Sequence, residues 1–186
     1  MKILFIRHGL TEGNLTKKYI GSTDQLLCEE GIKELEKKKF ERCDLLICSP
    51  MKRCIQTADI IFPGQEKIIC DDMKECDFGI FEGKNHEELN GCEEYQEWID
   101  SGGTGSFPGG ESPEFFKNRS IYAFMDIMKK YGSRSSAAFV VHGGTIMALM
   151  ERFAFPKKDF YGWHIDNGCG YECGYDGESL AVWKKI

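Results

Sequence analysis

Two continuous apolar runs end in the same way. Ile3–Ile6 leads through Arg7 into His8-Gly9, and Ala137–Val141 leads into His142-Gly143-Gly144. An apolar run without alternation reads as a strand buried on both faces, and such a strand needs helices on both sides of its sheet. Two of these strands, far apart in the chain and each ending in polar, reactive residues, point to an α/β fold with its chemistry at one sheet edge.

The rest of the chain fits that scheme. Gly31–Arg42 is charged and helix-favouring, with Ile32, Leu35 and Phe40 as its apolar side. Asp44–Cys48 reads as a second buried strand. Ser49-Pro50 then predicts a helix start, with serine as N-cap and proline at the first helical position, and Pro63-Gly64 stops that helix after about Phe62. Lys67–Cys70 reads as a third strand. Ser112-Pro113 repeats the cap signal ahead of a longer helix, in which Phe124, Ile127, Met128 and Tyr131 recur at helical spacing as a core stripe. Thr145–Phe155 follows as a helix, and Cys169–Tyr175 with Ser179–Lys185 reads as a hairpin around Asp176-Gly177. Strands alternating with helices predict a three-layer α/β/α sandwich with a mostly parallel central sheet. The chain reads as one domain, residues 1–186, with a cap-like insertion at about 71–110 that includes a short helix near Glu94–Ile99 and a glycine-rich loop from Gly102 to Gly110.

Composition limits the partners. A net charge of −6 argues against nucleic acid or an anionic membrane. No segment approaches the ~18 consecutive apolar residues of a membrane span. The N-terminal apolar run is broken by Arg7 and His8, unlike a secretory signal. The nine cysteines form no CxxC pair and read as reduced, mostly buried thiols of a cytoplasmic protein, with zinc or a disulfide as the minor alternatives.

The residues at the sheet edge suit phosphate. Arg7 precedes His8, and Arg53 falls in the first turn of the helix after the second strand. Guanidinium forks pair with phosphate oxygens. Glycine after each histidine is expected to let the backbone turn and to expose N–H groups to an anion. A neutral imidazole can attack phosphorus and hold the group as phosphohistidine, and neighbouring guanidinium charges keep that imidazole neutral. The leaving alkoxide needs a proton, for which Glu75, Asp77 and Glu82 are all candidates.

These motifs resemble those of the histidine phosphatase superfamily, the phosphoglycerate mutase-like proteins. Arg7-His8-Gly9-Leu10-Thr11-Glu12-Gly13-Asn14 is similar to the nucleophile signature. Ser49 to Ala58 is similar to the second motif, Glu75 to Gly83 to the acid-bearing segment, and Val141 to Ile146 to the second-histidine motif. The resemblance implies that His8 is the phosphorylated nucleophile. It implies that Arg7, Asn14, Arg53, His142 and Gly143 bind the phosphoryl oxygens, and that Glu75 is the proton donor. It also implies that neither metal nor cofactor is needed and that the partner is a small phosphorylated metabolite. One departure is Met147, where many relatives carry arginine; the position is expected to be peripheral.

Asp77-Phe78-Gly79-Ile80-Phe81-Glu82-Gly83 and His142-Gly143-Gly144 look like the small phosphatase branch rather than the mutases. Tyr95-Gln96-Glu97-Trp98, Phe107 to Ser112, Phe116 and Arg119 are similar to the α-ribazole phosphatase group of cobalamin assembly. On that reading Phe81, Trp98 and Phe107 are candidates to stack on a base. A cofactor-dependent phosphoglycerate mutase and a non-catalytic module that binds a phosphorylated ligand are the alternatives. Oligomeric state is left open.

Overall fold

The computed structural model describes all 186 residues. Seven strands form one sheet: β1 (Lys2–Arg7), β2 (Leu45–Cys48), β3 (Ile68–Ile69), β4 (Ser136–Val141), β5 (Ala154–Phe155), β6 (Gly170–Tyr175) and β7 (Leu180–Lys185), in the spatial order β3-β2-β4-β1-β6-β7-β5. Only β6 runs against the others. The helices are α1 (Glu12–Leu15), α2 (Glu29–Glu36), α3 (Lys52–Ile61), α4 (Glu93–Asp100), α5 (Pro113–Tyr131) and α6 (Gly143–Phe153).

Strand alternation sorts side chains between two cores. Ile3 and Phe5 of β1, Leu45 and Ile47 of β2, and Ala137, Phe139 and Val141 of β4 face α5 and α6, where Phe124, Ile127, Met128, Ile146 and Leu149 meet them. Leu4, Ile6, Leu46, Cys48, Ala138 and Val140 point the other way, onto Leu35 of α2 and Cys54, Ala58 and Ile61 of α3. The result is the predicted α/β/α sandwich, and the period-2 repeat of an extended chain is its cause. A third, largely aromatic cluster of Cys76, Phe81, Leu89, Tyr95, Phe107 and Phe116 joins residues of the 71–110 segment to α5.

Four expectations need correction. The helix expected over Thr145–Phe155 instead runs from Gly143 to Phe153, and Ala154–Phe155 pairs with Leu180–Ala181 as β5. The second helix ends at Glu36 rather than Arg42. Three consecutive lysines follow, and the chain leaves the helix to set Phe40 against Phe62, ring centroids 5.7 Å apart. The helix begins earlier than expected because the Cys28 sulfur caps it, accepting from the Gly31 N–H. Ser49 is not the N-cap of α3: Met51 occupies that position without a side-chain cap, and the Ser49 hydroxyl is bonded elsewhere. By contrast Ser112 caps α5 as expected, accepting from the Phe115 N–H, with Pro113 in the first turn.

Register places the chemistry. Arg7 pairs with Val141 across β1 and β4, and Cys48 pairs with Val140 across β2 and β4. His8, His142 and Ser49 are therefore the next residues of three adjacent parallel strands. They leave the sheet at the same edge.

Candidate active site

His8 and His142 are both buried, with ring centroids 5.3 Å apart and planes at 65°. His8 Nδ1 lies 2.7 Å from the Gly9 carbonyl. A carbonyl can only accept, so Nδ1 carries the proton and Nε2 keeps its lone pair. Burial above all, then the charges of Arg53 and Arg7, holds the His8 pKa well below the ordinary imidazole range. His142 is depressed in the same way, by burial first and then by Arg53. Its Nε2 is hydrogen-bonded to Ser49 Oγ at 2.7 Å, and Cys54 Sγ lies 3.5 Å from the same nitrogen.

Both arginines are pinned through their terminal nitrogens. Arg53 donates to the Thr23 and Gly21 carbonyls, each at 2.8 Å. Arg7 donates to the Ile165 carbonyl at 2.8 Å. In each case the Nε–H is buried and has no acceptor in the protein. Buried donors are almost always paired, so two unpaired guanidinium N–H groups beside two neutral histidines fit an anion as the missing acceptor.

The three candidate acids separate cleanly. Glu82 accepts from five donors: the N–H groups of Gly21, Ser22, Thr23 and Phe78, and the Thr23 hydroxyl. It holds the very loop whose carbonyls hold Arg53. Asp77 is taken up locally by the Gly79 N–H and the Ser22 hydroxyl. Glu75 alone turns to the helix that follows His142. Its Oε2 accepts from the Gly144 N–H at 3.1 Å, and its Oε1 from the Cys76 N–H at 3.0 Å. Desolvation raises the Glu75 pKa above the usual carboxylate value, against the pull of these two N–H groups, Arg53 and Arg7.

The glycines serve space rather than turning. Gly9, Gly143 and Gly144 all have negative or extended φ. A Cβ on Gly9 would lie 2.6 Å from Leu35, one on Gly143 3.3 Å from Arg7 Nε, and one on Gly144 would collide with Glu75 Oε1. Gly143, first residue of α6, is among the N–H groups that a helix leaves without an internal acceptor. Asn14, in the first turn of α1, completes the cap made by Thr11: its side-chain carbonyl oxygen accepts from Thr11 N–H, Thr11 Oγ and Asn167 Nδ2, so only its amide N–H groups remain for a ligand.

A cavity of about 810 Å³ opens beside Arg7, Glu75, Gly143 and Gly144. Tyr19, Phe78, Trp98, Phe107, Phe116 and Phe160 line it. Two expectations fail here. Phe81 is fully buried inside the aromatic cluster and does not line the cavity, whereas Met147, expected to be peripheral, does.

Several supporting residues escaped the sequence reading. Thr57 accepts from the Gly9 N–H at 3.0 Å and donates to the Arg53 carbonyl at 2.6 Å, tying the two motifs together. Asn167 donates to the His8 carbonyl and to Asn14, and the Gly168 N–H donates to the Arg7 and His8 carbonyls. Ser49 and Thr57 stand inside the second motif and were visible as residues. Asn167 carried no local signal.

Comparison with known proteins agrees with this geometry. The family described as the histidine phosphatase superfamily (branch 1) matches residues 3–184. An adenosylcobalamin/α-ribazole phosphatase of Salmonella typhimurium is 25% identical over 181 residues, covering 91% of this chain and 88% of that protein. The crystal structure of the α-ribazole phosphatase from Shigella flexneri superposes with a TM-score of 0.87 at 23% identity, covering 98% of this chain and 95% of that one. A phosphoglycerate mutase structure from Thermus thermophilus reaches 0.76 at 24% identity, covering 100% and 98%. At these identities the two structures establish the phosphoglycerate mutase-like fold, and the family match goes further. The chain belongs to the histidine phosphatase superfamily.

Proposed function

We propose that the protein hydrolyses a phosphomonoester through a phosphohistidine on His8, and that its leaving group has a broad aromatic body of the α-ribazole 5′-phosphate kind. One observation carries the reading. A neutral His8 with Nε2 unprotonated stands beside two guanidinium groups with unpaired Nε–H, and Arg7 and Glu75 both border an aromatic-lined cavity.

The chemistry runs in two displacements. His8 Nε2 attacks phosphorus while the ester P–O bond breaks, and the protonated Glu75 gives its proton to the departing alkoxide. Arg7, Arg53, His142, Asn14 and the Gly143 N–H hold the equatorial oxygens, over which the negative charge of the transferring phosphoryl is spread. In the second step the Glu75 carboxylate takes a proton from water, water oxygen bonds to phosphorus, and the P–N bond breaks. Phosphate leaves, with His8 neutral and Glu75 protonated again. A raised Glu75 pKa favours the donor role, and a depressed His8 pKa favours the nucleophile.

The aromatic lining supports the leaving-group class. Trp98 and Phe107 have ring centroids 5.3 Å apart on one wall, and the Trp98 indole N–H is buried without a protein acceptor. An aromatic body with one polar edge matches both. Segment 71–110 acts on this reading as a cap. On this reading the protein works in the cytoplasm, which its nine free thiols support. Phosphate release in EDTA from α-ribazole 5′-phosphate, 3-phosphoglycerate, sugar phosphates and mononucleotides tests the proposal. Preference for the α-ribazole ester supports it. Even, weak release removes the leaving-group assignment, and an isomerised phosphoglycerate without free phosphate overturns the hydrolase.

A further inference from the structure

The segment that carries Glu75 has no sheet ladder and no α-helix to hold it. A 3₁₀ turn at Asp71–Met73 gives way to irregular chain until Gly79. A proton donor on such a segment needs an external support, because a carboxyl misplaced by ~1 Å forfeits most of its effect.

That support comes from one side chain of α5. Arg119 donates from Nη1 to the Asp72 and Lys74 carbonyls, both at 2.8 Å, and from Nη2 to the Glu75 carbonyl at 3.0 Å. Its remaining N–H groups form a fork onto Glu111, Nε to Oε1 at 2.7 Å and Nη2 to Oε2 at 2.9 Å. All five guanidinium donors are used, the most an arginine can offer. Glu111 Oε2 in turn accepts from the Asp77 N–H at 3.3 Å. The pair therefore grips backbone on both sides of Glu75. It is well shielded, with side chains 15% and 12% exposed. Arg119 does not line the aromatic cavity. It lies on the far side of the Glu75 wall, in a more open and acidic cleft that Glu75 also borders.

We propose that Arg119, locked by Glu111, is the positioning residue that sets Glu75 for proton delivery, an inference that rests on the acid role of Glu75 stated above. Lysine cannot replace it: one ammonium has three donors and no fork. The consequence is selective. Loss of the grip harms esters whose leaving alkoxide needs a proton and largely spares those whose leaving group departs unaided.

The test compares an alkyl phosphate with p-nitrophenyl phosphate in wild type, Arg119→Lys, Glu111→Gln and Glu75→Gln, with melting temperatures measured alongside. Arg119→Lys is expected to lower kcat/KM for the alkyl ester by about tenfold more than for the nitrophenyl ester. It should also flatten the fall of alkyl-ester turnover with rising pH, a signature that a purely structural role would not produce. Should Arg119→Lys fail to fold, Glu111→Gln keeps the arginine and one half of its fork and gives the same readout in weaker form. Equal losses on both substrates in the folded variants, alongside a selective loss in Glu75→Gln, overturn the positioning role and leave the acid role standing. A Glu75→Gln variant without selective loss overturns both.

Discussion

Alanine at position 144 adds one methyl group where the Glu75 carboxylate lies. The added Cβ would press on Glu75 Oε1 and stand 3.0 Å from Phe116 Cζ, on a ring that is itself buried. Phe116 packs in the aromatic cluster and has little room to yield. The carboxylate must therefore retreat, by roughly 1 Å, and give up its bond to the Gly144 N–H. A misplacement of that size costs about 100-fold in a step that depends on fixed geometry. The fold itself should tolerate the change. Position 144 is helical, and alanine favours a helix over glycine by ~0.5–1 kcal/mol. That gain partly offsets the ~1.5–3 kcal/mol of a hydrogen bond to a carboxylate. The assay is kcat/KM for an alkyl phosphate and for p-nitrophenyl phosphate, together with thermal unfolding. A folded Gly144→Ala protein should lose alkyl-ester turnover by about two orders of magnitude and nitrophenyl turnover by much less. Alkyl-ester turnover within about threefold of wild type would refute the placement of Glu75 as acid against this glycine.

Other perturbations separate the remaining parts. Glu82→Gln loosens the Gly21–Thr23 loop and so the grip on Arg53, and should raise KM and weaken vanadate inhibition by about tenfold for every leaving group alike; a loss confined to alkyl esters would assign Glu82 to the acid instead. Glu75, with its pKa raised, serves as donor in the first step while protonated, so kcat/KM for alkyl esters should fall as pH rises and the carboxyl ionises, while kcat/KM for the nitrophenyl ester stays flatter; parallel profiles would argue against it. His8 and His142 are both held neutral, with folded pKa values below the unfolded value near ~6.5. Below that pH the unfolded chain takes up protons that the folded chain refuses. Their contribution is full above it and is lost as pH falls, by up to about 1.4 kcal/mol per pH unit for each ring. Denaturant unfolding of His142→Gln between pH 6.5 and 5 should show a slope shallower than wild type by about that amount; an unchanged slope would mean that His142 is protonated in the folded protein. Glu75 works in the opposite sense, gaining stability as pH falls, but it is common to both proteins and drops out of the difference.

Much of the frame was legible because it rests on short-range pattern. The runs at Ile3–Ile6 and Ala137–Val141 announced buried strands, and the histidines after them fell where parallel strands end. The Ser112 cap and the hairpin around Asp176-Gly177 are local devices that a few consecutive residues specify. What escaped is long-range. Ser49 has the form of an N-cap, yet its hydroxyl meets His142, 93 positions on. Gly144 looks like a turning residue, and its reason is the width of a carboxylate from position 75. Glu75, Asp77 and Glu82 are indistinguishable as residue types. They differ only in which N–H groups surround them, and those come from residues 21–23, 79 and 144. Asn167 reaches back 159 positions to the His8 carbonyl. No periodicity encodes such contacts. The motif resemblance selected Glu75, and the hydrogen-bond geometry supplies the physical reason.

The most direct test of the phosphohistidine route is rapid quenching of wild type and His8→Ala with a ³²P-labelled ester, followed by mapping of the labelled residue. The route predicts an acid-labile, alkali-stable label on His8 in wild type and none in His8→Ala, which should fold but not turn over. Turnover by His8→Ala, or a label on any other residue, would contradict it.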